Sequence, residues 1–391
     1  MLGPAPGNTP AVIVGADICG LGLARSLGRA GVPVVVVDSD ARRPAMHSRY
    51  VRRFISPEIE GPGLVDGLLA LSDQLDGRPV LFLTSDLQVR AVSEHRSRIQ
   101  HAYCIRMPDH DRVCQLLHKV GFQDLAERHG FPVPAIVTVR EPSDLVQLRR
   151  IRFPAVIKPA SKEAFLRGRA PRAVRAEEPA KAEAICRAIL PLVPDLIVQE
   201  WVEGPDDNIY FCLQYHGDHG IVASSFTGRK LRSWPPATGS TASCMPAPEV
   251  ADVLEPLARA FFGITGFAGM CSMEFKRDSR TGAFLMIEPT IGRADWQEEV
   301  ASLNGVNIPL AAYRHELNLP VVNGYRPSES VIWRDPSCYW RSLIASRSFG
   351  DRTPQEAEVR SSVWRPDDPL PLAFCWLEWL RKGVKPSRWR G

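Results

Sequence analysis

Apolar residues in this chain gather in short runs, separated by longer segments that carry helical spacing. Ala11-Val12-Ile13-Val14-Gly15 predicts a short buried strand, residues 20–30 a helix, and residues 32–38 a second strand. That is a β-α-β unit with a parallel strand pair. Residues 80–84 predict a third strand, which ends at Ser85-Asp86. Residues 109–130 read as two helical stretches, closed by Phe131-Pro132-Val133-Pro134. Strands are expected at 155–159 and 196–200, the second leading into a turn at Gly204-Pro205. A hairpin follows around 216–220, with His216 and His219 as turn residues rather than metal ligands, and then a helix at about 248–262. Beyond about Pro320, Pro, Trp and Arg become more frequent and clean periodic runs fade; no internal repeat is present.

Residues 271–293, CSMEFKRDSRTGAFLMIEPTIGR, predict a β-hairpin. An apolar-polar alternation reaches a turn at Asp278-Ser279-Arg280-Thr281-Gly282, and a second apolar run follows. Each arm carries one acid, Glu274 and Glu288. Folding back near Arg280 sets Glu274 opposite about position 286, with the two carboxylates within roughly 8 Å of each other. Glu288 shares the parity of Phe284 and Met286, and an ionised carboxylate facing an apolar layer needs a cation. Two such hard oxygen donors suit Mg²⁺ carrying nucleotide phosphates; the pair also reads as two solvated acids on a surface hairpin.

Composition narrows the class. The chain has 391 residues, 45% hydrophobic and 24% charged, which is the balance of a folded soluble protein of two or three domains. A net charge of +4 is mild for this length and does not argue for nucleic acid. Nine cysteines are scattered singly, without a C-x-x-C pair or a Cys/His cluster, as expected in a reducing cytosol. No apolar run approaches the roughly 20 residues that span a bilayer, and a cytoplasmic location is expected.

The N-terminal glycines are spaced G-x-x-x-x-G-x-G at Gly15, Gly20 and Gly22, not G-x-G-x-x-G. Close strand–helix packing is therefore the expected role, despite Asp38 standing where a ribose-binding acid would. Lys158 ends an apolar strand and is followed by Pro159, so it reads as a fixed cation for a phosphate or as a snorkelling surface lysine. Lys119 has the same two readings. The segment Gln199-Glu200-Trp201-Val202-Glu203-Gly204-Pro205-Asp206 joins a strand edge, able to hydrogen-bond a purine, to an acid after a tight turn.

Taken in order, residues 109–320 resemble the ATP-grasp superfamily. The resemblance rests on Lys119 before Gly130-Phe131-Pro132-Val133-Pro134, Lys158 in an IKP strand, the QEWVEGPD hinge, Glu274 in M-E-F, and Glu288 near Arg293. Within the superfamily the chain is similar to the predicted carboxylate–amine ligases, a group that includes D-aspartate-ligase-like enzymes. The resemblance implies an α/β fold: a Rossmann-like N-terminal domain (1–107), a two-subdomain ATP-grasp core (108–320) with a lid near 160–175, and a C-terminal extension (321–391). It implies ATP and Mg²⁺. Lys119 and Lys158 would contact phosphates, Gln199, Glu200 and Val202 would frame the adenine with Trp201 as apolar cover, and Glu203 or Asp206 would hold the ribose. Glu274 and Glu288 would bind Mg²⁺, assisted by Thr290 where the family usually has Asn. Arg293, with Lys230 and Arg232, would serve the transferring phosphoryl group or a substrate carboxylate.

The chemistry so implied is attack of a carboxylate on ATP, followed by attack of an amine on the acyl phosphate, with amino acids or small peptides as the expected substrates. A homodimer is expected by the same resemblance. The stretch 160–175 reads as a basic lid or as a solvated loop. Residues 295–299 read as acceptor-pocket residues or as the start of a surface helix. Residues 369–382, with Leu372, Trp376, Trp379 and Leu380, predict a short helix before a basic tail, packed on the core or making weak peripheral membrane contact. Two other readings stay open: an ATP-binding partner that has lost catalysis, for which Thr290 is the hint, and a dinucleotide-dependent oxidoreductase.

Overall fold

The computed structural model describes residues 8–321, 330–347 and 357–375. The chain divides into two compact units. Among the described residues, the first comprises those within 8–113, 211–272 and 290–375, and the second 114–210 and 273–289.

The first unit begins with β1 (Ala11–Val14), β2 (Val34–Asp38), β3 (Val51–Ile55) and β4 (Val80–Leu83), a parallel sheet in the order β3-β2-β1-β4. Strands β1, β2 and β4 are buried along their whole length, which is why they read as uninterrupted apolar runs. The helix Ile18–Gly28 is capped by Asp17, whose carboxylate accepts from Cys19 N and Gly20 N. A Cβ on Gly20 would lie 2.0 Å from Gly15 O, so the glycines permit close strand–helix packing. Asp38 accepts from Ala16 N (2.7 Å) and Asp40 N (2.9 Å), which commits both of its oxygens to the chain's own backbone.

The second unit holds β5 (Ile136–Val139), β6 (Ala155–Pro159), β7 (Val174–Ala176) and β8 (Leu196–Glu200), an antiparallel sheet in the order β5-β8-β6-β7. Side chains alternate between its faces. Val137, Val139, Ala155, Ile157, Leu196 and Val198 form the core with Ala182, Cys186 and Ile189 of the helix Pro179–Ile189. The opposite face carries Val156, Lys158, Ile197 and Gln199, and Val120 of the helix Lys119–Arg128 packs against Ile197 there.

A third sheet contains β9 (Ile209–His216), β10 (Val222–Trp234), β11 (Ser240–Pro246), β12 (Gly269–Arg277), β13 (Phe284–Ile291), β14 (Val331–Arg334) and β15 (Glu358–Ser361). Its order is β13-β12-β9-β10-β11-β14-β15. Within the first unit one hydrophobic core runs from Ile13, Leu21 and Phe82 to Phe211, Tyr313 and Trp333. The paired helices predicted at 109–130 are His110–Leu117 and Lys119–Arg128, and the helix predicted at 248–262 is Ala251–Ile264.

Three features differ from the sequence reading. His216 is not a turn residue: it ends β9 with no exposed surface, donates from Nε2 to Gln214 Oε1 (2.9 Å), and packs edge-on to Phe262 and Phe267. Residues 297–299 do not lie on a surface helix, because Gln297, Glu298 and Glu299 are buried. Ordered strands persist after Pro320, where β14 and β15 pair in parallel. The later chain also returns to the first helix: Arg25, fully buried, donates through Nε to Asp368 Oδ2 (2.9 Å) and through its other nitrogens to Ser362 O and Val363 O. Phe374 stacks on His47 at 3.4 Å between ring centroids. Residues 370–375 are helical, while Trp376, Trp379, Leu380 and the basic tail lie outside the described residues.

Candidate functional site

The second unit brings together most of the chemistry expected from the sequence. Lys158 pairs with Ile197 in the β6–β8 ladder, and Val156 pairs with Gln199, so Lys158 and Gln199 are diagonal neighbours on the face opposite the core. Lys158 Nζ donates to Gln199 Oε1 at 3.0 Å. Burial lowers the Lys158 pKa, and the charges of Glu288 and Glu274 partly restore it. Lys119 begins its helix with its N–H donating to Ala160 O (2.9 Å), which anchors that helix to the end of β6.

Glu288 is half-buried and ion-paired with Lys162, a residue that the sequence reading did not single out. Burial alone would raise the Glu288 pKa, but Lys162, Lys119 and Arg172 together hold it well below the usual carboxylate range. Two carboxylates, Glu274 and Glu288, therefore share the electrostatic neighbourhood of Lys158, and Lys119, Lys162 and Arg172 share that of Glu288. Among the described residues no group of three or more His, Cys, Asp or Glu side chains is arranged to hold a metal ion. A two-carboxylate donor set fits Mg²⁺ that arrives with phosphate oxygens completing its shell, not a metal caged by protein alone.

The hinge is held in place by its backbone. Glu200 N donates to Ala135 O (2.9 Å), Trp201 N to Pro154 O (3.0 Å), and Ser279 N to Glu203 O (2.9 Å). Gly204 has φ +138°, and a Cβ there would come within 2.6 Å of Asn208 Nδ2. Glu200 accepts from Arg152 N (3.0 Å), while Val202 and Trp201 are buried. Two cations lie over the Trp201 ring, Lys276 at 4.4 Å and Arg175 at 4.6 Å from its centroid. Burial brings Lys276 down to about 8, against the pull of Asp206, Glu274 and Glu203. Lys276 is the second residue that the sequence reading passed over. Its signal was parity, since it stands two positions after Glu274 in β12.

The remaining expected residues belong to the first unit. Thr290 is 7% exposed and continues β13 two positions beyond Glu288. Arg293 is ion-paired with Asp86 and donates to Ala294 O (2.9 Å); Asp86 and Asp295 hold its guanidinium charged in spite of burial. Lys230 is buried, pairs with Cys244 across β10–β11, and donates to Gly239 O at 3.5 Å. Arg232 instead lies 5.8 Å from the centroid of Tyr339. Beyond Arg293, Asp295 accepts from Ser272 Oγ (2.8 Å) and Gln297 Nε2 (3.3 Å). Glu298, 2% exposed, has its pKa raised to about 8 by burial and by Asp295.

No family model matches the chain, and no curated protein matches it. Solved structures do. N5-carboxyaminoimidazole synthetase from Staphylococcus aureus, complexed with ADP, is 13% identical with a TM-score of 0.65, covering 85% of this chain and 84% of that one. The biotin carboxylase domain of the Hydrogenobacter thermophilus 2-oxoglutarate carboxylase, in complex with MgADP, ADP and bicarbonate, is 13% identical with a TM-score of 0.64, covering 83% and 74%. Biotin carboxylase from Campylobacter jejuni is 14% identical with a TM-score of 0.63, covering 82% and 74%.

Proposed function

Because this chain has the ATP-grasp fold of those enzymes, we propose that it is an ATP-dependent carboxylate–amine ligase, forming an amide through an acyl phosphate. The observation that carries this reading is the meeting of Lys158, Gln199, Glu274 and Glu288 in the second unit, with Lys119 and Lys162 beside them. A cluster of cations around two carboxylates, one of them held ionised by its lysine neighbours, is a site for a polyanion accompanied by a divalent metal. Glu274 and Glu288, with Thr290, would hold Mg²⁺, which would supply neutralisation of the transferring phosphoryl charge.

The chain's own residues divide the remaining work. Lys158, fixed in its strand by the Gln199 contact, presents a positive charge that needs no reorganisation as phosphoryl charge develops. Lys119 supplies a second cation from the start of its helix. Gln199, Glu200, Trp201 and Val202 frame the base, and Glu203 and Asp206 accept from ribose hydroxyls. Arg293, Lys230 and Arg232 serve the acid substrate and the departing phosphate. Segment 160–175 covers the nucleotide and keeps water from the acyl phosphate.

The boundaries 1–107, 108–320 and 321–391 are the proposed domain limits, and the D-aspartate-ligase-like group is the proposed subgroup. The proposed substrates are small carboxylates and amines, amino acids or short peptides, handled by a cytoplasmic homodimer. No described helix is long and apolar enough to cross a membrane.

Thermal denaturation with MgADP and, separately, with NADH tests the nucleotide reading, because a ligand that binds the native state raises its melting temperature. MgADP is expected to raise it and NADH to leave it unchanged. A shift with NADH alone would support a dinucleotide-dependent oxidoreductase instead.

A further inference from the structure

Lys162, one of the cations beside Glu288, has no role of its own so far, and it is ion-paired directly with that proposed metal-ligand carboxylate. Its ammonium pairs directly with Glu288 Oε1, and the two side chains are 25% and 23% exposed. Lys162 follows Lys158 by four positions and immediately precedes the short helix Glu163–Leu166, inside the segment 160–175 proposed as the cover. The contact is therefore made by the covering segment and not by the sheet that carries Lys158.

A half-buried carboxylate needs a counter-charge at all times. Lys119 and Arg172 also act on Glu288 electrostatically, and Lys162 is ion-paired with it directly. A divalent cation bound to the same carboxylate would stand within roughly 4 Å of the ammonium, where like charges repel strongly in a partly buried site. The two cations are thus alternatives at one position.

We infer that Lys162 is the resident counter-ion of Glu288, which the divalent metal must displace when it arrives with nucleotide. This rests on the proposed nucleotide reading and makes Lys162 a positioning residue for it. Two consequences follow. Metal alone competes poorly for Glu288, because it must expel the ammonium with no phosphate to receive it. Metal and nucleotide arriving together meet no such obstacle, since the expelled ammonium gains a polyanion as its new partner. The covering segment is then released from Glu288 by the same event that fills the site.

The test compares the full-length wild-type chain with Lys162→Met, which keeps the apolar stem, and Lys162→Arg, which keeps the charge. ADP binding is measured by calorimetry across a Mg²⁺ titration, and melting temperature is followed with Mg²⁺ alone. Lys162→Met is expected to lower the Mg²⁺ concentration that half-supports ADP binding by roughly threefold or more. It should also gain stabilisation from Mg²⁺ alone, which the wild type lacks, while Lys162→Arg should retain wild-type behaviour in both. An unchanged or higher Mg²⁺ requirement in Lys162→Met, with ADP binding intact, overturns the inference. Loss of ADP binding by that variant even at saturating Mg²⁺ also overturns it, because Lys162 would then be an obligatory phosphate ligand. Failure of the wild type to bind ADP at any Mg²⁺ concentration overturns the nucleotide reading itself, which separates the two failures. Circular dichroism in EDTA checks folding, and Lys162→Gln repeats the comparison if Lys162→Met does not fold.

Discussion

Lys158 and Gln199 meet on the face of the small antiparallel sheet opposite its core, the lysine ammonium donating to the amide oxygen at 3.0 Å. The contact spans 41 residues of sequence and fixes a cation at the end of one strand against the start of the hinge after the next. A half-buried ammonium held in this way keeps its position without bound ligand, so part of the ordering cost of binding is met by the fold.

Gln199→Leu therefore weakens nucleotide binding without removing a charge. With a charge-assisted hydrogen bond worth about 1.5–3 kcal/mol, ADP affinity is expected to fall by roughly tenfold or more. Calorimetry at fixed Mg²⁺ measures the change, and an unaltered affinity would show that Lys158 is positioned by other contacts.

Glu298 predicts a pH dependence of stability. Its carboxyl titrates near 4.5 in the unfolded chain and near 8 in the folded protein, where burial is the main cause of the rise. Between those values the unfolded chain has released the proton and the folded protein has kept it, so stability falls as pH rises from about 4.5 to about 8. Glu298→Gln removes this loss. The variant is expected to gain about 2–4 kcal/mol on the wild type at pH 8 relative to pH 4.5, read by urea denaturation at the two pH values. Parallel curves for the two proteins would mean that Glu298 ionises freely when folded.

The Arg25–Asp368 pair predicts a structural effect in the first unit. Both side chains are buried, at 0% and 1% exposure, and Asp368 also accepts from Ser48 Oγ at 2.9 Å. Asp368→Ala leaves a buried guanidinium without its carboxylate and is expected to cost about 3–5 kcal/mol. Thermal denaturation should show a correspondingly lower transition, and a change near zero would mean that the carbonyls of Ser362 and Val363 suffice for Arg25.

Much of this architecture was legible in the sequence, and the misses have physical causes. Strands β6 and β8 were predicted at their observed limits because each is an apolar run ended by a charge and a turn former, Lys158-Pro159 in one and Glu200 before Gly204 in the other. Strand β3 was missed because its Arg52 and Arg53 are exposed and interrupt the alternation. Strand β11 was missed because Ser240-Thr241-Ala242-Ser243 offers little apolar signal although Thr241, Ala242 and Ser243 are buried. His216 looked like a turn residue beside Gly217, since the phenylalanines that enclose it lie 46 and 51 positions later at Phe262 and Phe267.

The site was legible to a similar depth. Lys158 and Glu288 stood out because each is a charge set into an apolar run, where burial demands a partner. Lys162 and Lys276 did not, because each lies among other charges and acquires meaning only through a partner distant in sequence, Glu288 for one and Trp201 for the other.

The most direct test of the ligase reading is phosphate release from ATP and Mg²⁺ across pooled carboxylates and amines, with Glu288→Ala as the control. The account predicts release that requires one acid and one amine together and falls at least about a hundredfold in the control. Release that persists unchanged in Glu288→Ala, or that never depends on an acid and an amine, would contradict it.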